Sequence, residues 1–404
     1  MDRSCTDTVR DSYAGTQLLN RDEQTTMTTL NLTYELHDRL NPFSAELWTS
    51  FFSDHPDPAE LIKLVEFSGL ADFQFKSIVV RQNGEPVLLL PLFRTHYSLS
   101  TTLDDSAKRW AAALEKLMPS TFKPEVLGVG FIEGEWGQIG TNKRFSPEII
   151  TRALSGALDY LDSVAKLLKV QIIAFKDFTD ATGSLLPAKI GEHYSRATSL
   201  PFCQIQLSEF SDFGQYLCSL PRKVRQDLNR KIRQSSEVKV VHSTEPSPWI
   251  DRIYELYVEQ VGRSDMSLGI HNREYFAEVC QRVDGAFYIL FFHDQELIGF
   301  NLVIASKTLL LDKYVGMDVV RGRENNIYFL AWMEKIKHCI VNRIPLLHLG
   351  AAAEAVKVRL GASMVPSYIF FRHRNPIFNF AMSKLTPMLS YETSVNTSSD
   401  SSAD

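Results

Sequence analysis

The sequence predicts an α/β chain, α+β in detail, built from two successive units that each hold a mixed, twisted sheet. A length of 404 residues exceeds one ordinary hydrophobic core, which makes two domains the prior. The order hairpin, helix, strand occurs twice, over residues 75–178 and again over 287–350, although no identical run aligns between the copies. A strongly basic helix separates them.

The elements follow in chain order. Residues 1–30 are polar and Thr-rich, and 386–404 end in ETSVNTSSDSSAD, so both read as disordered extensions. The first unit, 31–210, opens with an extended segment and a helix over 44–53, which Ser44 and Glu46 suit as a start. FKSIVVRQ and EPVLLLPLFRTHY flank Asn83-Gly84, a hairpin signal. A Gly-rich strand and loop over 124–140 comes next. Apolar residues at helical spacing then run over 146–169, with Ser146 as N-cap and Pro147 in the first turn, and lead into the strand VQIIAFKDF. The second unit, 211–385, opens with a helix over 221–235. There Val224, Leu228 and Ile232 fall four apart, while Arg222, Lys223, Arg225, Arg230, Lys231 and Arg233 fill other positions. A hairpin turning at Asp294 to Glu296 follows, then the strand LLLDKYVGMD, the loop VVRGRENN and the helix IYFLAWMEKIKHCIVNR. The strand LLHLG and a basic hairpin, SYIFFRHRNPIFN, complete it.

Composition narrows the function classes. A net charge of −5 argues against a protein that coats nucleic acid, while leaving room for a local phosphate grip. The five cysteines, at 5, 203, 218, 280 and 339, show no C-x-x-C or Cys/His zinc spacing and read as reduced core thiols, with no metal expected. No apolar run is long enough to span a membrane, and a cytoplasmic protein is expected. Nucleophile-elbow, His-Glu-x-x-His and Walker motifs are absent, so hydrolase, metalloprotease and P-loop readings lack their parts.

The stretch from Leu309 to Asn379 carries the most information. A strand ending in glycine is followed by Lys357 and then Leu360, Gly361 and Ala362, with Gly350 closing the strand before them. In that layout the chain resembles the CelD/Fem-like (tandem GNAT) branch of the GNAT acyltransferase superfamily, closely over 217–379 and in outline before that. The position of the basic helix fits the same branch. The resemblance implies two tandem GNAT-like acyl-CoA N-acyltransferase domains. It also implies transfer of an acyl group from an acyl-CoA donor, acetyl-CoA included, to an amine of a small-molecule or cell-envelope precursor. A Fem-like aminoacyl-tRNA donor is the alternative, and a non-catalytic ligand- or protein-binding pair is a third reading.

Candidate site residues follow from charge placed among apolar neighbours. Asp312 and Lys313 interrupt a leucine strand, so one of them faces the interior, where an unpaired charge costs several kcal/mol, roughly. Asp312 is the candidate general base and Tyr314 the candidate acid. Lys357 is the candidate for stabilising charge on the carbonyl oxygen, against a surface ion pair with Glu354. His373, between Arg372 and Arg374, is a candidate proton shuttle in an anion pocket or part of a basic capping loop. For the donor, the candidates are Lys313 on the strand, Arg321, Gly322, Arg323, Asn325 and Asn326 in the loop at the helix start, and Arg225 and Arg230 of the basic helix, whose other reading is a solvated face. Lys313, Arg321, Arg323 and Lys357 are expected in one cleft.

Overall fold

The computed structural model describes residues 19–21, 24–29, 31–53, 55–97, 123–132, 136–184, 186–263, 269–351 and 353–390. Two mixed sheets form its frame. The first runs β1 (Leu19–Arg21), β2 (Gln24–Thr29), β3 (Leu32–His37), β4 (Gln74–Gln82), β5 (Glu85–His96), β6 (Glu125–Val129), β8 (Ile172–Phe178), β17 (Tyr368–His373) and β9 (Ser195–Thr198), with β7 (Gly140–Thr141) also on β5. The second runs β11 (Lys239–Ser243), β12 (Ala286–His293), β13 (Glu296–Ala305), β14 (Leu309–Met317), β15 (Leu346–His348), β10 (Phe202–Gln206) and β16 (Ser363–Val365).

Local chemistry accounts for the regular parts. Asn83 and Gly84 both take positive φ, 51° and 86°, as the tight turn between β4 and β5 requires. Asp294 and Gln295 do the same between β12 and β13. Helix α1 (Ala45–Phe51) is capped by the Ser44 hydroxyl, and α2 is Ala59–Ser68. Helix α3 (Pro147–Leu167) buries Leu154, Leu158, Leu161 and Val164 on the first sheet. Two short helices, α4 (Asp180–Gly183) and α5 (Ala188–His193), follow β8. Helix α6 (Phe213–Ser219) leads into the basic helix α7 (Arg222–Gln234), which buries Val224 and Leu228 and half-buries Ile232. Helices α8 (Ile250–Val261) and α9 (Arg273–Arg282) cover one face of the second sheet, together with Leu61, Leu64 and Val65 of α2. The other face carries α10 (Arg321–Glu324) and α11 (Ile327–Val341), whose Trp332 and Ile336 are buried. Helices α12 (Glu354–Arg359) and α13 (Pro376–Leu389) close the chain.

The expected division at residues 210 and 211 does not separate the sheets. β10, from before that point, lies in the second sheet between β15 and β16, and β17, from the end of the chain, lies in the first between β8 and β9. Each sheet therefore borrows a strand from the other half. The segment expected as a basic hairpin is β17 followed by α13. Leu19–Arg21 and Gln24–Thr29, within the lead expected to be disordered, form β1 and β2, and β-branched threonines suit extended pairing. Helix α13 likewise runs to Leu389, past the expected start of the tail at 386. The rest of both expected disordered ends, Cys5 included, lies outside the described residues. Cys203 and Cys339 are buried, whereas Cys218 is exposed rather than a core thiol. No helix among the described residues is long and apolar enough to cross a membrane.

Candidate active site between the two sheets

The site begins with two parallel strands that separate. β14 pairs with β15 only from Leu309–Leu311 against Leu346–His348, yet β14 continues to Met317. The chain after β15 stays with β10 instead, through Leu349 N to Cys203 O at 2.9 Å and Cys203 N to Gly350 O at 3.0 Å. A gap therefore opens beyond Leu311 and His348. At its mouth β14 carries a bulge: Val303 faces Asp312 and Leu302 faces Tyr314, which leaves Lys313 as the extra residue.

The two adjacent charges find partners on different elements, and both side chains are largely withdrawn from solvent, Asp312 at 14 % and Lys313 at 7 % exposure. Asp312 pairs with Lys335 of α11 and accepts from Asn301 Nδ2 at 2.7 Å. Lys313 pairs at 3.1 Å with Asp57, from the loop joining α1 to α2, and the two side chains are 7 % and 2 % exposed. Tyr314 stands among the rings of Tyr257, His271, Tyr275 and Phe276. Lys357 is buried rather than a surface partner, and its ammonium donates to the carbonyls of Leu349 and, at 3.0 Å, Gly350. It ties down the turn at the end of β15, where Gly350 takes a φ of 66°.

The remaining candidates lie elsewhere. His373 ends β17 in the first sheet, and its Nδ1 accepts from Asn375 N at 3.0 Å. It is five residues from Tyr368, the end of β17 that pairs with Phe178, which is about 16 Å of extended strand. Arg372 beside it pairs with Asp162, and Arg374 donates to the carbonyls of Ala165 and Val170. Arg321 turns back to Glu296 and the carbonyl of His293, at the β12–β13 turn, and so does not join Lys313 and Lys357. Gly322 is required by packing, since a Cβ there would come within 2.9 Å of the Met317 Cβ. Arg323 is exposed, Asn325 Nδ2 donates to Arg321 O, and Asn326 heads α11 with a φ of 52°. The loop amides expected to face a phosphate are engaged: Val320 N and Arg321 N donate to the Asp318 carboxylate at 3.0 and 2.9 Å. Burial opposes ionisation of Asp318, but those amides and Arg252 hold its carboxyl below the ordinary value. On α7, Arg225 caps the carbonyls of Cys218 and Leu220, and Arg230 pairs with Asp227.

Sequence reasoning missed a group from the first half. In His55-Pro56-Asp57-Pro58, the His55 Nδ1 accepts from Asp57 N at 3.1 Å, which leaves Nε2 to donate to Trp136 O at 3.2 Å. Burial lowers the His55 pKa, in keeping with a neutral ring. The His348 ring packs against Phe202 and Trp136, at centroid distances of 4.9 and 5.8 Å. Burial, opposed by Asp57 and reinforced by Lys313 and Lys357, pushes His348 down to about 4. Among the described residues, the buried atoms Asp57 Oδ2, Trp136 Nε1, Asn301 Oδ1 and the Tyr328 hydroxyl, all near this gap, have no hydrogen-bond partner. Tyr328 opens α11 and feels Asp312 and Cys203, and burial raises its pKa. Buried orphans of this kind mark a place for a ligand or water. The legible signals were Asn301 within ELIGFNLVIA and Lys335 within IYFLAWMEKIKHCIV, single polar residues in apolar elements.

Comparison with known proteins finds likenesses to part of the sequence and to the fold. Residues 222–358 match the family model described as an acetyltransferase (GNAT) domain. The crystal structure of FemX superposes with a TM-score of 0.53 at 11% identity, covering 85% of this chain and 99% of that one. The C-terminal domain of a putative lysylphosphatidylglycerol synthetase from Agrobacterium fabrum covers 85% and 97% at 11% identity, with a TM-score of 0.49. A tandem GNAT protein from the clavulanic acid biosynthesis pathway covers 85% and 98% at 12% identity, with a TM-score of 0.48. A search of curated protein sequences returns no match. Residues 222–358 thus match a GNAT acetyltransferase domain that holds the parted strands, and the chain shares the overall fold of FemX, its second sheet joined to the first by exchanged strands.

Proposed function

We propose that the protein is an N-acyltransferase that moves an acyl group from an acyl-CoA-type donor to an amine on a small molecule or cell-envelope precursor. The observation that carries this reading is the gap between β14 and β15, opened beside the bulge at Lys313 inside the matched domain. A bulge frees backbone groups from the ladder, and such groups can polarise a carbonyl laid against the strand. The donor arm would pass the Tyr328 hydroxyl on the α11 side. The amine would approach from the side of Asp57, His348 and Trp136. Direct transfer of this kind needs the two substrates held together and a carrier for one proton. A CoA or charged-tRNA donor would place the reaction in the cytoplasm.

An aminoacyl-tRNA donor is the second reading, favoured by one observation. Asp318 already occupies the amides of Val320 and Arg321, where a pyrophosphate would sit, while Arg222, Lys223, Arg230 and Arg233 stand exposed on α7. Calorimetry with CoA and with deacylated tRNA separates the two, followed by mass spectrometry of acyl transfer to an amine panel. Binding and turnover with CoA support the first reading, binding and turnover with charged tRNA the second. Indifference to both donors would leave a non-catalytic pair of domains.

A further inference from the structure

Asp57 is the feature that this donor cleft leaves unexplained. Its side chain is 2 % exposed, and Lys313 contacts Oδ1 at 3.1 Å. Oδ2 has no hydrogen-bond partner. A buried carboxylate oxygen left unsatisfied is costly, and a donor N–H placed there removes the cost. The loop is stiff: Pro56 and Pro58 flank Asp57, and His55 holds its backbone N–H while gripping Trp136 O. A rigid acceptor of hydrogen bonds is thus supplied by the first half to the gap that the second half opens.

We infer that Asp57 is the acceptor-amine site: its Oδ2 accepts a hydrogen bond from a primary amine and takes the proton of the attacking nitrogen. This rests on the acyl-transfer reading above. As the N–C bond forms and the donor's C–S or C–O bond breaks, the nitrogen loses one proton to Oδ2. That proton passes on to the departing thiolate or alkoxide, so amine plus thioester or ester gives amide plus thiol or alcohol. Lys313 is a positioning residue that holds the carboxylate in place through Oδ1.

The test must separate this role from simple ion pairing, since Asp57→Asn alone breaks the ion pair with Lys313. The neutral double variant Asp57→Asn/Lys313→Gln removes both charges and keeps hydrogen-bonding volume. Cadaverine serves as the amine probe, read by thermal stabilisation and by acetyl transfer from acetyl-CoA. Wild type is expected to be stabilised by cadaverine. The double variant should melt like wild type, bind CoA alike, lose the cadaverine shift and transfer at least ~100-fold more slowly. Retained cadaverine stabilisation in the double variant, or none in wild type, overturns the assignment. An Asp57-dependent cadaverine shift without CoA binding would instead sink the CoA donor and leave the amine site standing.

Discussion

The parting of β14 from β15 and the loop that follows β14 look alike in sequence, since both place charge and glycine beside a strand end, but they differ in what their polar atoms do. In the loop, the Asp318 carboxylate takes two amides and Arg321 takes Glu296, so the hydrogen-bonding capacity is turned inward. At the parting, Asp312 and Lys313 are both ion-paired, yet among the described residues Asp57 Oδ2, Trp136 Nε1, Asn301 Oδ1 and the Tyr328 hydroxyl have no hydrogen-bond partner in a buried setting. The difference teaches that charge at a helix start is a weak sign of a ligand, because a neighbouring side chain can supply the same contacts. Unsatisfied buried atoms are the stronger sign, because folding alone gives no reason to leave them.

The comparison can be broken most sharply at the buried pairs. Lys335→Met leaves the Asp312 carboxylate, 14 % exposed, with the Asn301 amide in place of its buried cation, and is expected to cost roughly 3 kcal/mol in urea unfolding. A loss below ~1 kcal/mol would mean that the parting is solvated like a surface.

The histidine at the gap gives a pH test. Unfolded His348 takes up its proton near the ordinary value, while the folded ring does so only near about 4. Between those values the unfolded chain binds more protons, so this contribution is intact above the unfolded pKa and is lost as pH falls toward the folded one. The full linkage is about 3 kcal/mol, and His348→Phe, which keeps a ring against Phe202 and Trp136, should flatten the melting-temperature profile over that window. An unchanged profile would place the His348 ring in contact with water.

Lys357 distinguishes scaffold from catalysis. Lys357→Met strips two carbonyls at the end of β15 of a charged donor, with an expected loss of roughly 2 to 3 kcal/mol. Loss of turnover with unchanged melting would restore the lysine to a direct role at the carbonyl. The smallest effect belongs to the loop: Arg321→Ala removes a pair whose Glu296 partner is 72 % exposed, and should change stability by less than ~1 kcal/mol. A larger loss, or loss of donor binding, would turn the loop back into a site.

Much of the frame was legible in the residues. The Asn83-Gly84 turn, the helix behind Ser146 and the basic helix behind Pro221 stand where local chemistry predicts them. The exchange of β10 and β17 was not legible, because strand partners are set by tertiary packing and neither segment announces which sheet it joins. At the site, the bulge strand drew notice through Asp312 and Lys313, while Asp57 did not. A lone aspartate between two prolines reads as a loop residue until the second half closes over it. Lys335 and Asn301 were visible as polar intruders in apolar elements.

The measurement that bears most directly on the central claim is hydrogen exchange with and without acetyl-CoA, followed peptide by peptide. If the parted strands receive the donor, amides over 312–317 and 348–350 should gain protection on binding, with smaller changes over 318–326. Protection confined to 318–326, or to the basic helix 222–234, would contradict the account and move the donor out of the gap.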